Sequence, residues 1–216
     1  MARLAPSVLG ADFAQLGVEI ADTDRVGIDI LHLDIMDGHF VPNISYGPAI
    51  VKTINRLTES FLDVHLMLSE PENFFEAFVN AGADAITFHL EVHPRPVEVA
   101  RQIRALGVQP GISINPDMPV EKVLPFLKEF DYLLVMSVFP GFGGQTFIRE
   151  ALPKVRTARD YIDQHRLKTQ IAIDGGVDAG NAAEIVAAGA DILVMGSAFF
   201  GADDRAALVK MVTALK

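Results

Sequence analysis

Residues 187–195 read Ala187-Ala188-Gly189-Ala190-Asp191-Ile192-Leu193-Val194-Met195, the end of a helical pattern, a stopping glycine and a short apolar strand in direct succession. The same phrase stands at Asn80-Ala81-Gly82-Ala83-Asp84, ahead of the apolar run Ala85 to His89. A helix that stops on glycine and feeds straight into a strand is the joint of an alternating α/β chain. Outward from these two joints, strand-length apolar runs recur at Leu4 to Leu9, Ile30 to Met36, Leu62 to Leu68, Ala85 to His89, Gly111 to Asn115, Leu133 to Val138, Gln170 to Asp174 and Ile192 to Met195. Between them lie segments such as Ala14 to Val26, Asn73 to Ala81 and Ala183 to Ala188, with apolar residues at i, i+3 and i+4. Eight strand-then-helix units, evenly spaced and without a Pro/Gly/Ser-rich linker, predict a single-domain (β/α)8 TIM barrel over residues 1–216. An open doubly wound sheet is the alternative, and the even spacing counts against it.

Composition narrows the chemistry. The 28 acidic residues against 18 basic ones give a formal net charge of -10, a field that repels nucleic acid and anionic membrane surfaces. An anionic substrate therefore needs a local positive site. The absence of cysteine removes disulfides, thiolate nucleophiles, iron–sulfur clusters and cysteine-type zinc sites together. Any metal must be held by His, Asp, Glu or backbone. Pro6 and Asp12 interrupt the N-terminal apolar run, and no stretch has the roughly 18 unbroken apolar residues of a spanning helix, so a cytoplasmic protein is expected.

In a barrel of this kind, reacting groups sit at the C-terminal ends of strands. Period-two alternation along Ile30 to Met36 puts His32, Asp34 and Met36 on one face and Leu31, Leu33 and Ile35 on the other. The third strand repeats this with Asp63, His65 and Met67, and the seventh ends on Asp174. Two imidazoles and two carboxylates from three strands make an all-N/O site suited to zinc, manganese, iron(II) or cobalt. Singly, each is as well explained as a satisfied interior histidine or a helix cap; jointly, their convergence points to a metal. His39, His89, His93 and His165 read as surface or loop residues.

Gly141-Phe142-Gly143-Gly144-Gln145-Thr146 follows the sixth strand, Gly175-Gly176 the seventh and Gly196-Ser197 the eighth. Small-residue turns let backbone N–H groups approach a phosphate, and this fold binds phosphate at the loops after strands seven and eight. A dinucleotide fingerprint is excluded, because Thr146 holds the third glycine position and the acidic Asp160 and Asp163 fall within a helical pattern.

His32 to Asn43 (HLDIMDGHFVPN), Asp63 to Met67 (DVHLM), Pro140 to Gln145 (PGFGGQ), Asp174 to Gly176 (DGG) and Ala5 to Ser7 (APS) together resemble the ribulose-phosphate 3-epimerase family, across essentially the whole chain. The strand-two motif is the specific part; DGG occurs in many phosphate-binding barrels. The resemblance implies an isomerase of the pentose phosphate pathway that interconverts ribulose 5-phosphate and xylulose 5-phosphate through an enediolate. It implies one divalent ion per subunit, zinc first among those named, held by His32, Asp34, His65 and Asp174. Asp34 would take the C3 proton and Asp174 return one from the opposite face. Ser7 and His65 would contact the sugar, while Gly141, Phe142, Gly143, Gly144, Asp174, Gly175, Gly176, Gly196 and Ser197 would hold the substrate with its phosphate. Met36, Met67 and Met136 would line the reacting carbons, and the subunit would form a homo-oligomer. Phe139 and Met195 depart from the family's usual polar residue and alanine, and Phe139, near the phosphate loop, bears on substrate preference.

Three rivals are weighed. Allulose-6-phosphate 3-epimerisation uses the same groups on a longer sugar. A phosphate-barrel decarboxylase needs an Asp-x-Lys-x-x-Asp strand, and the stretch Asp34-Ile35-Met36-Asp37 has no lysine. A non-catalytic sugar-phosphate binder has no use for carboxylates at both Asp34 and Asp174.

Overall fold

The computed structural model describes residues 1–216. Its strands are β1 (Arg3–Pro6), β2 (Ile30–Met36), β3 (Phe61–Met67), β4 (Ala85–His89), β5 (Gln109–Ile114), β6 (Tyr132–Met136), β7 (Gln170–Asp174) and β8 (Ile192–Met195). All pair in parallel, in the order β1-β8-β7-β6-β5-β4-β3-β2. The α-helices are α1 (Leu16–Arg25), α2 (Pro48–Asn55), α3 (Phe75–Ala81), α4 (Pro96–Ala105), α5 (Ala151–His165), α6 (Ala182–Ala187), α7 (Ser197–Phe200) and α8 (Arg205–Thr213). The eight-stranded sheet curls into a nearly closed barrel, in which β1 and β2 meet through a single parallel bridge, Ser7 to His32. No helix is long and apolar enough to cross a membrane.

Two elements differ from the sequence expectation. The first strand stops at Pro6 instead of Leu9, since Val8–Gly10 turns as a 3-10 helix. The segment between β5 and β6 forms no α-helix, only 3-10 turns at Val120–Lys122 and Leu124–Glu129. Pro119 and Pro125 lie at the starts of those turns, where they withhold N–H donors and disfavour helical backbone before them.

An aspartate precedes every even-numbered strand: Asp29, Asp84, Asp131 and Asp191. Their carbonyls accept the first N–H of the next odd strand, from Phe61, Gln109, Gln170 and Arg3 respectively, so the same joint is used four times and its last use ties β8 to β1. The Asp84 and Asp191 carboxylates also accept from the amides of Leu62 and Ile171, each at 2.8 Å. The equivalent partner of Asp131 is Pro110, which has no N–H, and its carboxylate lies 2.8 Å from Arg104 instead.

The main core lies between strands and helices. On α3, Phe75, Phe78 and Ala81 face inward, and full burial of a phenylalanine contributes about 1.5–3 kcal/mol. Gly82 ends this helix at φ 105°, and a Cβ there would stand 2.2 Å from Asn55 Cγ. Gly82→Ala should destabilise the fold by about 1–3 kcal/mol from backbone strain alone. A urea unfolding midpoint equal to the parent's would refute this account of the joint.

The barrel interior divides in two. On the side of β6, β7, β8 and β1 it is filled by Tyr132, Leu134, Met136, Ala172, Ile192, Val194 and Ala5. On the side of β2 to β5 the buried residues include His32, Asp34, Asp63, His65, Thr87, His89 and Ser113. Such groups are costly to bury unless they bond to one another, so the polar half is expected to hold the site.

Candidate functional site

The pleat of β2 and the register His32↔Asp63, Asp34↔His65 and Met36↔Met67 bring the expected groups together. His32 Nε2 lies 3.3 Å from Asp34 Oδ1, His65 Nδ1 lies 3.1 Å from the same oxygen, and the two nitrogens are 3.3 Å apart. One ligand atom from each of His32, Asp34, His65 and Asp174 falls within 4.8 Å of the others. The other oxygen of Asp34 accepts a 2.5 Å bond from Ser7 Oγ, and Ser45 Oγ donates to its carbonyl at 2.6 Å.

This donor set fits a divalent cation. Ligand atoms around an ion with bonds of about 2.0–2.1 Å stand roughly 3.3 Å apart in a tetrahedron. The three separations between His32, His65 and Asp34 are 3.1–3.3 Å. Two imidazole nitrogens facing one carboxylate oxygen make an N/O donor set.

A further layer supports these four. Asp63 Oδ2 lies 2.8 Å from His32 Nδ1, and Asp63 Oδ1 accepts from Thr87 Oγ1 at 3.1 Å. Gly111 faces Thr87, and a Cβ there would come within 2.1 Å of the hydroxyl, so the neighbouring strand must be bare at this point. Just past β6, Ser137 Oγ donates to Asp174 O at 2.8 Å and Gly175 O at 2.7 Å, steadying the turn at the end of β7 that presents the carboxylate.

The two carboxylates have opposite proton affinities. Burial raises the Asp174 carboxyl, and the nearby Asp34 charge adds to it, to about 7. Burial would also raise Asp34, but the His32 charge and hydrogen bonds from His32 and His65 outweigh it and hold that carboxyl far below its usual range. Burial lowers His65 to about 4.

Above the cluster opens a cavity of about 1040 Å³. Ser7, Asp34, Asp174, Met36, Met67 and Met136 line it, as do Gly141, Phe142, Gly143, Gly144, Gly175, Gly176, Gly196 and Ser197. His32 and His65 do not: both are fully buried, so the expected contact of His65 with sugar is not part of this geometry. The departures Phe139 and Met195 do not reach the wall either, the first being exposed and the second packed among core side chains. Arg149 is the cationic residue on the wall, and its guanidinium is bonded to Glu184 at 2.8 and 2.5 Å. Backbone N–H groups of the glycine loops, with the hydroxyls of Thr146 and Ser197, are thus what the wall offers an anion.

Sequence reasoning missed three groups here. Asn43 Nδ2 donates to Gly141 O at 2.7 Å, and Gln145 Nε2 reaches Phe139 O at 2.7 Å and Phe142 O at 2.9 Å, closing the glycine loop on itself. His89, read as a surface or loop residue, is fully buried, with Nε2 2.8 Å from His65 Nε2. Its signal lay in the period-two face Ala85, Thr87, His89, which matches the polar faces of the two preceding strands.

The model of the ribulose-phosphate 3 epimerase family matches residues 3–200. A ribulose-phosphate 3-epimerase of Bacillus subtilis is 44% identical over 206 residues, covering 95% of this chain and 95% of the relative. One from Mycobacterium tuberculosis (strain H37Rv) is 48% identical over 206 residues, with 95% and 89% covered. Among solved structures, thiamine phosphate pyrophosphorylase from Pyrococcus furiosus superposes with a TM-score of 0.65 at 21% identity, over 98% of this chain and 93% of that one, a likeness of fold alone.

Proposed function

This chain belongs to the ribulose-phosphate 3-epimerase family, and from that premise we propose that it inverts carbon 3 of D-ribulose 5-phosphate to give D-xylulose 5-phosphate, with Asp34 and Asp174 as its proton-transfer pair. The observation that carries this reading is the convergence of two carboxylates, from strands separated by β1 and β8, on one buried pair of imidazoles at the cavity floor. Residues 1–216 act as one catalytic domain, cytoplasmic and homo-oligomeric as the likeness to the family suggests.

The C3 proton of a ketose is weakly acidic, and its removal spreads charge onto the C2 oxygen. Asp34 takes that proton; its acceptor oxygens are already oriented by Ser7 and by the two imidazoles. Asp174 delivers a proton to the other face, and the roles exchange in the reverse direction. His32, Asp34, His65 and Asp174 would hold a divalent cation, zinc being the ion expected for this N/O set. Such an ion, when bound, supplies Lewis-acid stabilisation of the negative charge on the substrate oxygens. Met36, Met67 and Met136 keep the floor apolar, which limits proton exchange with bulk water. The phosphate lies against the glycine loops, with backbone N–H groups as donors.

The test is an NMR assay in deuterated water, offering ribulose 5-phosphate and allulose 6-phosphate to metal-replete and chelator-treated enzyme. The expected result is deuterium at C3 and epimer from the pentulose, faster than from the hexulose, with the rate falling at least about 100-fold on metal removal, equivalent to roughly 2.7 kcal/mol. Metal-replete enzyme that leaves the C3 proton of both sugars in place would sink the proposal.

A further inference from the structure

The two buried imidazoles are backed differently. His32 turns its outer nitrogen, Nδ1, to the carboxylate of Asp63, which fixes its tautomer directly. His65 turns its outer nitrogen, Nε2, to another histidine, and the 2.8 Å between His65 Nε2 and His89 Nε2 has room for one proton only. One ring must donate and the other accept, and nothing in this pair alone decides which.

Glu91 decides it. Its Oε1 accepts from the amide of Asn115 at 2.8 Å, which anchors the carboxylate, and its Oε2 stands 3.5 Å from His89 Nδ1. Neither Glu91 Oε2 nor His89 Nδ1 has a hydrogen-bond partner, so each is the polar atom nearest to hand for the other. The imidazole of His89 is fully buried and is covered by the Phe40 ring at 4.7 Å. A carboxylate oxygen only accepts, so it favours the proton of His89 on Nδ1. His89 Nε2 is then the acceptor and His65 carries its proton on Nε2; His65 Nδ1, which lies within hydrogen-bond distance of Asp34 Oδ1 at 3.1 Å, presents its lone pair when a cation takes the place of that contact.

We propose that Glu91 and His89 are positioning residues that set the tautomer of His65 and so present its Nδ1 lone pair to the metal. The inference rests on the reading of His65 as a ligand. Through this relay, a carboxylate two groups removed from the centre governs how tightly the centre binds.

Glu91→Gln is the diagnostic change. If the amide oxygen keeps the Asn115 bond, the NH2 group faces His89 Nδ1 and donates, the relay reverses, and His65 Nδ1 becomes protonated. Zinc affinity, measured by equilibrium competition with a chromophoric chelator, should fall about 10–100-fold. Long-range proton–nitrogen spectra of 15N-histidine-labelled, zinc-loaded wild type should show His65 ligated through Nδ1 and protonated on Nε2, with His89 protonated on Nδ1. A wild-type spectrum with His89 protonated on Nε2 overturns the proposal without any variant. So does a Glu91→Gln protein that binds zinc within twofold of wild type, or one whose His65 tautomer is unchanged. Failure of the ligand reading looks different: His65→Ala would then bind zinc as wild type does.

Discussion

Asp174→Asn should lower epimer formation about 10³-fold while leaving hydrogen exchange at C3 of ribulose 5-phosphate measurable. The substitution is isosteric, and the turn that carries the residue is held by the backbone contacts of Ser137, which the amide does not disturb. What is lost is a titratable proton at one face, a contribution in the range of about 10²–10⁴ for general acid–base catalysis, together with the charge of one of the four groups that would hold the cation. Asp34 remains, so ribulose 5-phosphate is still deprotonated and reprotonated from the same side. In deuterated water the starting pentulose gains label faster than xylulose 5-phosphate appears. From xylulose 5-phosphate, neither label nor product forms at an appreciable rate. Epimerisation within tenfold of wild type would remove Asp174 from the pair.

Asp34→Asn should be the more damaging change, above about 10⁴-fold in kcat/KM, because this carboxylate has several roles at once. One oxygen accepts the Ser7 hydroxyl while the other faces both imidazoles. An amide has a single acceptor oxygen, so either Ser7 or the imidazole pair confronts an NH2 group, and a buried group left unsatisfied costs about 1–3 kcal/mol. The isotope pattern should be the mirror image of the first variant, with residual exchange only from xylulose 5-phosphate. Zinc affinity should fall with activity, and a thermal melt should show the barrel still folded. Retention of more than about one per cent of wild-type kcat/KM, some 2.7 kcal/mol of lost stabilisation at most, would contradict the assignment of Asp34 as base.

Much of this was readable because the fold writes its chemistry in local patterns. The bounds of β2, β4, β7 and β8 follow directly from their apolar runs, and the period-two face of β2 placed His32 and Asp34 together before any tertiary information. Gly82 and Gly189 do end their helices with positive φ, as the repeated phrase predicts. The Asp174 turn and the glycine loops reach the cavity for the same local reason. What escaped depends on contacts distant in sequence. Asn43 and Gly141 are 98 positions apart, and the hydroxyl of Ser137 finds its partners 37 and 38 positions later. His89 is an intermediate case: its strand face was visible, but its partner lies on the neighbouring strand and only register supplies it. The missing helix before β6 shows prolines overriding an otherwise regular alternation.

The bridge between Ser7 and His32, the single β-bridge joining β1 to β2, ties the site to the closure of the barrel. Its two residues are the donor to Asp34 and one of the imidazoles facing Asp34, so the contact that closes the ring also aligns two groups of the site. A substitution that parts β1 from β2 at this bridge should therefore lower turnover as well as stability.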